Sequence, residues 1–160
     1  MASWTTIEYV RTINQTFYDQ VKTADQKAGY VFTFLTILFV YTKDPRNTIV
    51  WASEPTMSIK WFMSVLFVLC AGFSIACAAL VILPRSKSGG SALYWGAWGR
   101  PDSPDHNISA DLTDEYIIGE YLRNVKNLAH ICRIKFKYVG LAFRGTAATI
   151  ACHIWLLTYG

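Results

Sequence analysis

The stretch Ala24-Asp25-Gln26-Lys27-Ala28-Gly29 runs without a break into Tyr30-Val31-Phe32-Thr33-Phe34-Leu35-Thr36-Ile37-Leu38-Phe39-Val40-Tyr41. A carboxylate and an amine, two residues apart, stand at the mouth of an apolar segment. Charge in such a place is costly unless it has a function or lies at the lipid–water boundary. The junction reads as the inner rim of a membrane protein, with a polar site beside its first apolar helix.

Further along, the block from Trp61 to Leu83 has no charged residue and is bounded by Lys60 on one side and Pro84-Arg85 on the other. At ~1.5 Å per residue it covers the ~30 Å hydrocarbon core with length to spare. The alternative, a core helix of a soluble protein, is rarely so long and so free of charge. The block Ala28 to Tyr41 is short against the ~17–25 residues of a usual span. It crosses if Lys27 and Lys43 extend their stems to the headgroups. A third block, from Tyr138 to Tyr159, is interrupted by Arg144 and His153. It either spans, packs against the other two, or lies in the interface.

These blocks predict an all-α membrane protein with about three transmembrane helices, two of them extended into a cytosolic helical stalk. The expected layout is a single domain over 1–160: a stalk helix at 1–27, spans at 28–42, 61–83 and 138–159, and a cytosolic loop and helix at 84–137. No secretory signal is read, because the first apolar run starts late and lacks a basic tip and a cleavage site. Arg85, Lys87, Arg100, Arg123, Lys126, Arg133, Lys135 and Lys137 fall between the last two spans, which places 84–137 inside. The amino terminus is then cytosolic and the carboxyl terminus outside. The net charge of +4 is mostly this topology signal. A basic inner face also favours an anionic ligand or anionic lipid.

The stalk is legible in heptad-like steps. Ile7, Val10, Asn14, Phe17, Val21, Ala24 and Ala28 step by three and four and continue through Val31, Leu35 and Leu38. Thr5 and Glu8 have the capping-box spacing. One helix from Thr5 to Tyr41 would be roughly 55 Å long. Ile118, Leu122, Val125, Ala129, Cys132, Phe136, Val139 and Phe143 make a second seam, with Asp111 or Thr113 as cap and Asp114 and Glu115 in the first turn. The two seams should pack on each other. Asn14 either sets their register or belongs to a polar site.

Asp25 and Lys27 are the first candidates for a ligand site; the alternative is a snorkelling lysine beside a solvated aspartate. Arg85, Lys87 and the turn Ser88-Gly89-Gly90-Ser91 have the backbone N–H groups and cations to cradle a phosphate. They lack the P-loop pattern, and a basic flank after a span explains them equally. Trp95 and Trp98 offer faces for a nucleobase or act as interfacial anchors. Lys135 and Lys137 flank the third span. Arg144 either snorkels or is functional, and His153 hydrogen-bonds across helices.

The four cysteines show no paired spacing and read as small apolar packers. No histidine stands at metal-ligand spacing to a carboxylate, and no serine sits in a nucleophile elbow. Neither an enzyme, a metal nor a cofactor is expected.

The Asp25-Gln26-Lys27-Ala28 stretch, leading into an apolar segment, resembles the Asp-x-Lys-Ala signature of transmembrane effectors of pyrimidine-cyclase antiphage (Pycsar) systems. The span ending at Leu83-Pro84-Arg85, the aromatic Tyr94-Trp95-Gly96, and a helix carrying Asn127, Ile131 and Lys135-Phe136-Lys137-Tyr138 into the last apolar stretch agree with it. The resemblance covers Ile7 to Leu157. It implies an inner-membrane effector that responds to cyclic UMP or cyclic CMP from a neighbouring pyrimidine cyclase, impairs the membrane and causes abortive infection. Asp25 and Lys27 match its motif, and Lys135 matches more weakly. The expected ligand-binding set is Asp25, Lys27, Arg85, Lys87, Trp95 and Lys135. The expected partners are the cyclic nucleotide, membrane lipid and further copies of the chain, with no nucleic acid. The competing expectation is a membrane-anchored scaffold whose stalk docks a cytosolic protein.

Overall fold

The computed structural model describes residues 4–41, 58–83, 93 and 113–159. They form three helices and no strand: α1 (Trp4–Tyr41), α2 (Ile59–Ile82) and α3 (Asp114–Tyr159). The start of α2 is fixed by Ser58, whose hydroxyl accepts from the Trp61 N–H at 3.2 Å while its own backbone stays extended. The start of α3 is fixed by Thr113, which accepts from the Tyr116 N–H at 3.3 Å. Asp114 and Glu115 follow in its first turn. Of the two expected caps for α3, Thr113 serves, and Asp111 lies outside the described residues. At the amino end α1 is already helical at Trp4, so Thr5 sits inside the first turn and the expected capping box is not the start signal.

The chain divides into two compact units, one of Met1–Thr23 with Pro84–Ile134 and one of Ala24–Leu83 with Lys135–Gly160. In the first, residues 4–23 of α1 pack on residues 114–134 of α3 through a seam that mixes apolar side chains, buried Val10 and Cys132 among them, with polar pairs. Asn124 Nδ2 donates to Asn14 Oδ1 at 2.7 Å, and Cys132 Sγ donates to Gln20 Oε1 at 3.4 Å. Glu120 and Asn124 are both buried, and Arg123 pairs with Glu120 at 3.0 Å. Asn14 thus makes a polar contact between the two helices at its seam position.

In the second unit the core is apolar. Ala24, Ala28, Val31 and Leu35 of α1 meet Cys77, Ala78 and Val81 of α2 and Val139 and Ala142 of α3. A second cluster gathers Phe67, Cys152 and Leu156, with the Phe39 and His153 rings at 5.6 and 5.7 Å from Phe67. Between α2 and α3 the backbones approach closely. A Cβ on Gly145 would lie 3.1 Å from Ser74 Cβ and 3.3 Å from the Cys70 carbonyl oxygen. Ser74 uses that proximity to donate to the Ala142 carbonyl at 2.6 Å and to meet the Thr146 hydroxyl at 2.7 Å. Small residues and hydroxyl bonds of this kind suit helix pairs in lipid, where burial of apolar surface alone gives no drive. Among the small residues of α2, Ala71, Ser74 and Ala78 are buried within the chain, whereas Gly72 and Ala76 face outward.

Two of the three helices, α2 and α3, are long and apolar enough to cross a membrane. Only 33% of the most apolar stretch of α2 is buried, and 39% of that of α3. A core helix of a soluble protein would be buried over most of its length; here Phe62, Leu69, Phe73, Ile154 and Leu157 point outward. Such an apolar outer surface is matched by hydrocarbon rather than water.

The α1 seam was read correctly: every position from Ile7 to Leu38 is buried or half-buried. The α3 seam needs two corrections. Leu122 and Phe143 are exposed, and the polar Glu120, Asn124, Lys135, Thr146 and Thr149 are buried along with the seam's Cys132 and Val139. Polar side chains with internal partners occupy places that an apolar pattern cannot mark.

Candidate functional site

Asp25 and Lys27 lie about 200° apart around a helix, so they cannot face each other. The structure gives each a different partner. Lys135 Nζ meets Asp25 Oδ1 at 2.5 Å. The Lys135 side chain is 7% exposed, while that of Asp25 is 40% exposed. Lys27 Nζ stands 5.3 Å from the centre of the Phe136 ring, a cation–π distance. The signature on α1 thus engages two consecutive residues of α3.

The local sequence explains why this pairing forms. Ala24 and Ala28 flank Asp25 on the inward face of α1 and are wholly buried, so no bulk holds α3 away. Val139, one turn beyond Lys135, packs into the same alanine-lined core. Lys135 is consequently drawn under cover, where an ammonium is tolerated only with a counter-charge. Asp25 supplies it from the open side. The Asp25 side chain remains partly exposed while the cation beneath it is covered.

Of the six expected site residues, Asp25 and Lys135 are brought into contact, Lys27 turns to Phe136 instead, and Arg85, Lys87 and Trp95 lie outside the described residues. Phe136 is the member that sequence reasoning missed. Its signal was the Lys135-Phe136-Lys137 run, in which an aromatic between two lysines offers a face to a cation from another helix. A separate open groove of about 490 Å³ runs along α1 beside Glu8, Arg11, Thr12, Gln15, Thr16 and Asp19. Its Thr12 and Thr16 hydroxyls bond back to carbonyls of their own helix, and Gln15 bonds Asp19. It has one cation against two carboxylates, which does not suit an anion. Away from the spans, burial pushes the Cys132 thiol above its ordinary pKa, so it stays protonated and donates to Gln20. All four thiols are free, and no metal-ligating cluster occurs among the described residues.

The described residues form an all-helical chain in which two helices are long and apolar enough to cross a membrane, with an ion pair at the edge of the apolar core. The family model for the Pycsar effector protein domain matches residues 9–160, and the chain belongs to that family. Membership makes it an effector of an antiphage defence system. No match is found among curated proteins or among solved structures.

Proposed function

We propose that this effector answers a cyclic pyrimidine nucleotide, cyclic UMP or cyclic CMP, made by a partner pyrimidine cyclase, and that it then impairs the inner membrane so that the infected cell is lost before phage release. The observation that carries this reading is the buried Lys135 held by a single, half-exposed carboxylate. A cyclic nucleotide carries one phosphodiester charge. It competes with Asp25 for Lys135, while the Lys27–Phe136 contact lies one residue along and offers a cation and an aromatic face. Losing the Asp25 contact frees α1 from α3 within the apolar unit. A ligand that binds the two arrangements unequally shifts their populations; one that does not shifts nothing.

In this reading the carboxyl end of α1 joins α2 and α3 as a third span, the amino terminus and residues 84–137 are cytosolic, and the chain is not an enzyme. Three spans enclose no conducting path by themselves, so the active form is a homo-oligomer. Membrane potential followed by dye in cells or proteoliposomes, with cyclic UMP and cyclic CMP added, tests the proposal. Depolarisation by either nucleotide in the wild type and its loss in Lys135→Met support it. An intact potential with both nucleotides would overturn it and favour the scaffold reading, for which the α1 groove and the exposed Tyr9 and Tyr18 are the surface.

A further inference from the structure

Lys137 and Arg144 differ from the other cations of the apolar unit. They are seven residues apart on α3, a spacing of two turns that puts them on one face about 10 Å apart along the axis. Both are exposed, and Arg144 lies within the apolar stretch that begins at Tyr138. Asp25 is the sole carboxylate among the described residues of this unit, and Lys135 holds it. Neither Lys137 nor Arg144 has a hydrogen bond or ion pair with any described residue.

A guanidinium on the lipid-facing side of a span is costly without an anion. Helical side chains lean toward the amino end, so Arg144 leans toward Lys137 and the rim. Gly140 lies between them on the same face. A Cβ there would meet nothing within 4 Å, so internal packing does not require the glycine. Its absent side chain leaves an open notch on the helix surface between the two cations, and Phe143, one turn along the helix, is also exposed.

We infer that Lys137, Gly140 and Arg144 form a binding site for the phosphodiester of an anionic phospholipid. The phosphate sits over Gly140, Arg144 grips it through its planar fork, Lys137 adds charge from the rim, and the acyl chains run along Phe143. The depth of Arg144 selects lipid over a soluble phosphodiester, because a soluble ion would have to leave water to reach it. The inference rests on the membrane reading of α3, but it requires neither the proposed nucleotide response nor a particular orientation.

The test uses the full-length chain in detergent, without nucleotide, and counts retained phosphatidylglycerol against phosphatidylcholine by native mass spectrometry. The wild type should retain phosphatidylglycerol preferentially. Arg144→Gln should lower the preference about fivefold, the ratio one basic residue contributes at an anionic surface. Gly140→Leu, which fills the notch without touching charge, should lower it similarly, and Arg144→Lys should fall between. Equal retention of the two lipids, an unchanged preference in Gly140→Leu, or displacement of phosphatidylglycerol by cyclic UMP would overturn the site. Depolarisation assays read the nucleotide response separately, so either reading fails without the other. Insertion of α3 is checked by resistance to alkaline extraction.

Discussion

The two units of this chain share α1 and α3, the second adds α2, and they hold together by different chemistry. In the unit containing residues 4–23 and 114–134, the specific contacts are amide to amide and thiol to amide, Asn14 with Asn124 and Gln20 with Cys132. In the unit containing residues 24–41, 58–83 and 135–159, small apolar residues close on one another and hydroxyls bond carbonyls across α2 and α3. Polar seams specify register at some cost in stability; close-packed small residues give stability that depends on shape. Asp25–Lys135 belongs to the apolar unit yet is polar, an ion pair beside an otherwise apolar core.

If shape dominates in the apolar unit, Gly145 is its most sensitive position. Gly145→Leu would drive a branched side chain into Ser74, Phe73 and the Cys70 carbonyl, which offers no flexible end to move aside. The expected loss is about 3 kcal/mol, read as a lower unfolding midpoint in detergent. An unchanged midpoint would show that α2 and α3 are not packed as described.

Next in size is the ion pair. Asp25→Ala leaves a buried ammonium without its counter-charge, but Asp25 is 40% exposed and water relieves part of the penalty. The expected cost is about 2 kcal/mol, below the usual range for a fully buried pair. The charge swap Asp25→Lys with Lys135→Asp should recover part of what each single change loses. Recovery by swapping Asp25 with Lys27 instead would contradict the pairing.

In the polar unit, Asn14→Leu alone should cost about 1 kcal/mol by stranding the Asn124 amide. Adding Asn124→Leu should restore stability while loosening register, seen as faster hydrogen exchange across residues 10–21. If the double change is no better than the single one, that seam is not set by this bond.

The smallest effect is on pH. The Cys132 thiol has its pKa raised by burial in the folded state, so its protonated form is favoured by folding. Its stabilising contribution is complete below the ordinary thiol pKa of 9.0 and is lost as pH rises through the higher folded value. Unfolding midpoints should be flat up to about pH 9 and decline above it, and Cys132→Ser should flatten that decline.

These regions also differ in how far the sequence discloses them. The α1 seam is legible because its inward positions are apolar down to Leu38 apart from Asn14. The extent of α2 is legible from its long uncharged run, although Lys60, read as its boundary, lies inside the helix that Ser58 caps. On α3 an apolar count selects Leu122 and Phe143, which face outward, because the inward residues are Glu120, Asn124, Lys135, Thr146 and Thr149. Asn124, Lys135 and Thr146 are matched by Asn14, Asp25 and Ser74, far away in the chain, and periodicity carries no information on those; Glu120 and Thr149 find partners on their own helix. The same limit applies at the site: Asp25 and Lys27 are neighbours in sequence, but helix geometry sends them to Lys135 and Phe136.

The central claim is that Asp25 and a nucleotide phosphodiester contend for Lys135. Equilibrium binding of cyclic UMP and of cyclic CMP to the full-length protein in lipid nanodiscs, wild type against Asp25→Asn, tests it most directly. Removing the rival carboxylate should tighten binding of the cognate nucleotide, whereas Lys135→Met should abolish it. Weaker or unchanged binding by Asp25→Asn would contradict the account.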